Sequence, residues 1–335
     1  MSHRQHQSAD SREVGHVYFV NPIALSKQFA ATLLILLGLF LLMWISNWSG
    51  IMPKKSQLGD PDSTIISTKA RLATVSTQKR IAFVGDSSCL VNIHIPTLKD
   101  NGIDAINLGT LSYLGIDSFG LLAQRFCQNK PDTQIFLVLH PECLRIVESS
   151  SQHRMILMEA LNQATDSSTQ FQLESLRKIT VDEFRSRLLD GWLPTPMKGR
   201  LGFRYGFTHN LREEISSAGG FMEETAKFDP SISHGSSEYR IARRIQNECT
   251  QFRSYLPKGV RVRLLVSPVP QSHANRGHEK RVLEMQSELE RWIQTDSPSL
   301  NMPMVLPDSN FGTVTHLLPT SAREYTRQLC LMLPQ

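Results

Sequence analysis

An uncharged run of 18 residues from Phe29 to Ser46, FAATLLILLGLFLLMWIS, constrains this 335-residue chain more than any other feature. At roughly 1.5 Å of rise per residue it reaches about 27 Å as a helix, close to the hydrocarbon thickness of a bilayer. A helix lying on a soluble core carries a polar face, and this run has none. It predicts a transmembrane helix over 29–48, with Trp44 and Trp48 at the interface and Lys27, Lys54 and Lys55 reaching the headgroups. The run exceeds the apolar region of a typical signal peptide, and no small-x-small site follows closely, so an uncleaved anchor in the lipid bilayer is expected. Arg4, Arg12 and Lys27 before it balance Lys54, Lys55 and Lys69 after it, so charge does not orient it.

The chain as a whole is 40% hydrophobic with a formal net charge of +5, enough apolar material for a globular domain besides that run. Lys and Arg are interspersed with acidic residues, which argues against nucleic-acid binding. Five cysteines, Cys89, Cys127, Cys143, Cys249 and Cys330, include no C-x-x-C pair and no zinc-ligand spacing. His273 and His278 have no third ligand in sight, so neither a metal nor another cofactor is expected.

Organisation follows from punctuation and periodicity. Residues 1–28 form an N-terminal tail, and 49–79, rich in Ser, Thr, Pro, Lys and Asp, suit a linker. From residue 80 to 335, apolar runs alternate with helix-length segments. Strands are expected at IAFVG (81–85), DAINLG (104–109), QIFLVLH (134–140), VRLLVSPVP (262–270) and MPMVLP (302–307). Helices are expected over 116–128, 237–256, 278–295 and 320–332. Strand-helix alternation implies right-handed crossovers. The expected fold class is therefore α/β, a three-layer sandwich around a five-stranded parallel sheet. Residues 150–236 break the rhythm with Gly, Pro and aromatic residues and read as a large insertion or cap. Arg200, Arg204, His209 and Arg212, with Trp192, Phe203 and Tyr205, lie there as a basic and aromatic cluster whose ordinary roles are solvation and packing.

Gly85-Asp86-Ser87-Ser88 directly follows the first strand and leads into a helix. Such a turn places the Ser87 hydroxyl at the carboxyl edge of the sheet beside free backbone N–H groups, where a nucleophile and part of an oxyanion hole can coincide. Asp and Ser are also ordinary helix caps. His316, in NFGTVTHLLPTSA before the last helix, belongs to a loop at the same edge and is the residue type that takes a serine proton.

This pairing resembles the SGNH (GDSL-like) hydrolase and acyltransferase superfamily, in which a G-D-S block supplies the serine and a D-x-x-H-L block the acid and base. Gly85, Asp86 and Ser87 match the first block, and His316 and Leu317 match the last. The resemblance implies that Ser87 and His316 are catalytic and that the N–H groups of Ser87 and Gly109 form the oxyanion hole. Two positions depart from the pattern: the acid is replaced by Thr313, and the segment expected to carry an oxyanion-hole asparagine reads LHPECL. Three sources of the missing function are open: a Ser-His dyad, Asp308, or Glu142, with His140 beside Glu142 as a polar substrate contact.

Anchored relatives with a large insertion resemble extracytoplasmic proteins of alginate O-acetylation and teichoic-acid D-alanylation. The resemblance implies an esterase or O-acyltransferase on acylated cell-surface polysaccharide or a small acyl ester, with a membrane-bound O-acyltransferase as partner. A second expectation, from Thr313 and the absent asparagine, is a catalytically weak binding or assembly subunit of an envelope complex.

Overall fold

The computed structural model describes residues 22–48, 61–128, 130, 132–145, 149–163, 208–231 and 241–333. The chain divides into two compact units, Met1–Met52 and Pro53–Gln335. In the first, helix α1 runs Pro22–Trp48 and exposes Leu33, Leu34, Ile35, Leu36, Leu37, Leu39, Leu41 and Leu42. Its side chains are described without a break from Ser26 to Leu42. Among the described residues no helix is long and apolar enough to cross a membrane.

The second unit is α/β. Strands β1 (Ile81–Gly85), β2 (Ala105–Gly109), β3 (Gln134–Leu139) and β4 (Arg261–Val266) form a parallel sheet in the order β2-β1-β3-β4. Alternate residues serve two cores. Ala82, Val84, Ile106, Leu108, Ile135, Leu137, Val262 and Leu264 pack in one. Phe83, Ala105, Phe136, Val138 and Leu265 pack in the other. Both faces are apolar because both are covered, the usual condition of a parallel sheet.

Four strands, not five, make this sheet. The expected fifth contributes only β6 (Val305–Leu306), which pairs with β5 (Val269–Pro270) in a separate two-stranded parallel sheet. Pro270, Pro303 and Pro307 lack the N–H that a longer ladder needs.

The first core is closed by α5 (Ile116–Cys127), α8 (Arg244–Tyr255) and α9 (His278–Ile293), which follows α6 (Ser151–Gln163) and α7 (Thr208–Ser217) in chain order. α5 buries Ile116, Phe119, Leu122, Ala123 and Phe126 at helical spacing. The second core is closed by α3 (Ser87–Asn92), α4 (Ile95–Asp100) and α10 (Pro319–Met332).

The expected linker is corrected too. Pro61–Val75 forms α2, whose Ile65, Ile66, Ala70 and Ala73 lie in the first core, packed against α6 and α7. Ser63, Thr64, Thr68 and Lys69 are buried with them, which hides the apolar stripe from a sequence reading. Lys69 Nζ donates to the Asn107 carbonyl at 2.9 Å and to the Gly220 carbonyl. Burial pulls its pKa down to about 7, against a small opposing influence of Cys89.

Of the insertion, 208–231 returns along the β2 edge, where Asn107 N–H donates to Gly219 O and Met222 N–H to Leu90 O. Trp192, Arg200, Phe203 and Arg204, with Tyr205, lie outside the described residues, as does the side chain of His209.

Candidate active site

The chain leaves β1 for β2 on one side and, by way of β2, reaches β3 on the other, so the carboxyl end of β1 is the switch point of the sheet. Gly85 ends β1 at φ +156°, and a Cβ there would lie 1.9 Å from the Val138 carbonyl oxygen on β3. Only glycine lets the backbone pass so close. Asp86 then caps α3: its Oδ1 accepts from Ser88 N–H at 2.8 Å and Ser88 Oγ at 2.6 Å, and its Oδ2 from His140 N–H at 2.7 Å. Ser88 Oγ also meets Ser267 Oγ at 2.7 Å. One buried carboxylate thus ties the turn after β1 to the end of β3.

Ser87, half-buried, is the first residue of α3. It faces a cleft of about 120 Å³ lined by Asp86, Ser87, Ser112, His140, Glu142, Cys143 and Thr315. Cys143 is a weak rival nucleophile, because burial and the neighbouring Asp86 push its thiol pKa well above the usual value.

His316 follows Thr315 in a tight loop. Asn92, at the far end of α3, donates from Nδ2 to Thr315 O at 3.1 Å and accepts Leu317 N–H on Oδ1 at 2.8 Å. The two bonds straddle His316 and tie its loop to the Ser87 helix. Thr313 Oγ1 accepts from His316 N–H at 3.2 Å and so braces the loop backbone.

The imidazole has a carboxylate partner that the sequence did not reveal. Glu224, from the returning end of the insertion, places Oε2 at 2.9 Å from His316 Nδ1. Its Oε1 accepts from Thr225 N–H at 2.8 Å and Ala226 N–H at 2.7 Å. Burial alone would raise the Glu224 pKa, but the hydrogen bonds from His316 and the Ala226 and Thr225 amides outweigh it and hold the pKa below the usual value. An ionised carboxylate only accepts, so Nδ1 carries the proton and, in the neutral ring, Nε2 carries the lone pair. Nε2 is buried with no hydrogen-bond partner among the described residues. It therefore makes no hydrogen bond to Ser87 in this structure.

The two acids expected from sequence are engaged elsewhere. Asp308 accepts Ser272 N–H at 2.9 Å, and Glu142, although on the cleft, pairs with Arg145 at 2.6 Å. Gly109 is corrected as well: its N–H donates to Asn107 Oδ1 at 2.8 Å and is not free for an oxyanion. The local sign of Glu224 in the sequence is Gly312, where a Cβ would come 2.4 Å from Glu224 Cγ and 2.7 Å from Ala226 O. That glycine opens the passage for the acid.

No family model, curated protein or solved structure matches the chain.

Proposed function

We propose that the second unit is a serine-dependent O-acyl esterase or O-acyltransferase of SGNH type. One observation carries the reading: at the sheet edge where Ser87 opens α3, a histidine donates Nδ1–H to a half-buried carboxylate and keeps an unpartnered Nε2. That is the base half of a serine triad with the acid supplied from an insertion. Ser87 Oγ attacks the acyl carbonyl carbon, and its proton passes to His316 Nε2. Collapse of the tetrahedral adduct breaks the ester C–O bond, and His316 returns the proton to the leaving alkoxide. Water or a sugar hydroxyl then repeats the sequence on the acyl-serine, giving hydrolysis or transfer.

The membrane half of the reading stands on α1. Within Phe29–Ser46, seven Leu, two Ile and two Phe make eleven strongly apolar residues. At about 0.3–0.6 kcal/mol each at a bilayer centre, they favour insertion by roughly 3–7 kcal/mol. This supports a single-pass anchor; the extracytoplasmic placement of the domain, acylated surface polysaccharide as the substrate class and a membrane-bound O-acyltransferase as partner follow from the resemblance to SGNH proteins. Glu224 weakens the alternative of an inert binding subunit, since it supplies the acid whose absence motivated that alternative.

The test is serine trapping. Full-length protein in detergent should label at Ser87 with a fluorophosphonate and hydrolyse 4-nitrophenyl acetate. Ser87→Ala should lose both while its circular dichroism is unchanged. A folded wild-type protein that neither labels nor turns over refutes the reading.

A further inference from the structure

An acyl-serine mechanism needs hydrogen-bond donors where the carbonyl oxygen becomes an anion, and the donor expected at Gly109 is committed to Asn107. Another buried donor lies on the cleft. His140 immediately follows β3, is 1% exposed, and lines the same cleft as Ser87. Its main chain is held by Asp86, the residue before Ser87, through His140 N–H to Oδ2 at 2.7 Å. Its Nδ1 accepts Glu142 N–H at 3.1 Å, which fixes the tautomer with the proton on Nε2. That Nε2–H meets no acceptor in good hydrogen-bond geometry among the described residues, and the Pro268 carbonyl acts on the ring only as a weak acceptor. A buried donor left without a partner carries a penalty of about 1–3 kcal/mol, and such groups in a cleft call for an explanation.

We infer that His140 is an oxyanion-hole donor, its Nε2–H hydrogen-bonding the anionic oxygen of the tetrahedral adduct on Ser87. The inference rests on the acyl-serine reading above. The ring gives no proton away: the oxyanion forms as the carbonyl π bond opens, takes a hydrogen bond from Nε2–H, and releases it when the adduct collapses. Neutrality suits this task. Burial, the charge of His316, and to a smaller extent His273 and His278 drive the His140 pKa down, the nearby Pro268 carbonyl opposes them, and the result is about 3. The ring is a constant donor in the working range and a poor competitor to His316 as base.

Two substitutions separate the donor from the fold. His140→Asn retains an acceptor near the Nδ1 position for Glu142 N–H and loses the Nε2 donor. His140→Gln retains a donor near the Nε2 position. In full-length protein assayed with 4-nitrophenyl acetate, His140→Asn is expected to lose about 10²–10³ in kcat with KM within about threefold, and His140→Gln to recover most of it. The inhibition constant of a boronic acid, which forms a tetrahedral adduct with the serine, should rise across the variants in step with the fall in kcat/KM. Wild-type kcat in a folded His140→Asn, or loss of kcat with no change in boronic acid affinity, overturns the inference and assigns the ring to packing against Pro268. Serine labelling of the wild type distinguishes that outcome from failure of the acyl-serine reading, in which no Ser87 adduct forms at all and His140 has no oxyanion to bind.

Discussion

Replacing Glu224 by glutamine tests the centre of the site, because the structure dictates how the amide must lie. Glu224 Oε1 accepts two backbone N–H groups, from Thr225 and Ala226, at 2.8 and 2.7 Å. In Glu224→Gln those donors select the carbonyl oxygen, so the NH2 group takes the Oε2 place, 2.9 Å from His316 Nδ1. Two donors cannot face each other, and His316 is driven to the tautomer with Nδ1 bare and Nε2 protonated. A ring so protonated cannot accept the Ser87 proton. In the type case, the equivalent acid-to-amide change costs about 10⁴ in kcat, or roughly 5 kcal/mol of transition-state stabilisation. We expect a loss of that order for Glu224→Gln. Glu224→Ala should be less damaging, because with no amide to enforce the wrong tautomer His316 still samples the right one. The assay is kcat on 4-nitrophenyl acetate, with thermal unfolding to show that stability changes by less than about 2 kcal/mol. A folded Glu224→Gln within tenfold of wild type refutes the assignment of Glu224 as the group that orients His316.

Gly312→Ala should displace Glu224 by placing a Cβ 2.4 Å from its Cγ, with a stability cost of about 1–3 kcal/mol and a fall in kcat larger than any change in KM. Acid stability should bear the mark of His140, whose folded pKa of about 3 lies below its unfolded value. The unfolded chain binds the extra proton between about pH 6.5 and 3, so this contribution is complete above about pH 6.5 and lost as pH falls toward 3. Urea titrations of wild type and His140→Asn should converge over that interval; parallel curves contradict the burial of a neutral ring. Glu224, with its lowered pKa, contributes in the same direction further down, complete above its unfolded value near 4.5 and lost as pH falls through its folded value.

The sheet was legible because buried parallel strands are short apolar runs bounded by glycine. IAFVG is observed as Ile81–Gly85 without adjustment, and QIFLVLH as Gln134–Leu139. The last strand was not, since three prolines leave Val305–Leu306 as its only paired residues. α2 was hidden for a different reason: its buried face includes Ser63, Thr64, Thr68 and Lys69, and the carbonyls that hold Lys69, of Asn107 and Gly220, lie far along the chain and cannot be read locally. Ser87 and His316 could be singled out because each sits in a short motif at a strand-to-helix junction. Glu224 could not, because it lies 92 residues before His316 in a segment of loop-like composition, and nothing in FMEETAKF distinguishes it from Glu223 beside it.

Buried polar residues, Lys69 of α2 among them, set the geometry of the site. Apolar packing alone tolerates sliding of one segment past another, whereas a buried polar group is costly unless its partners are in place. Asn92 locks the loop on both sides of His316 to α3. Lys69 holds the Gly220 carbonyl, four residues before Glu224, and the Asn107 carbonyl on β2 in one grip. Asn107 in turn directs its side chain to Gly109 N–H and to the Cys89 carbonyl on α3. Helix α2, the returning end of the insertion and α3 are therefore registered against one another by satisfied polar contacts. An insertion that supplies the acid is workable on those terms, because its return path is pinned to the same strand edge and helix that carry Ser87.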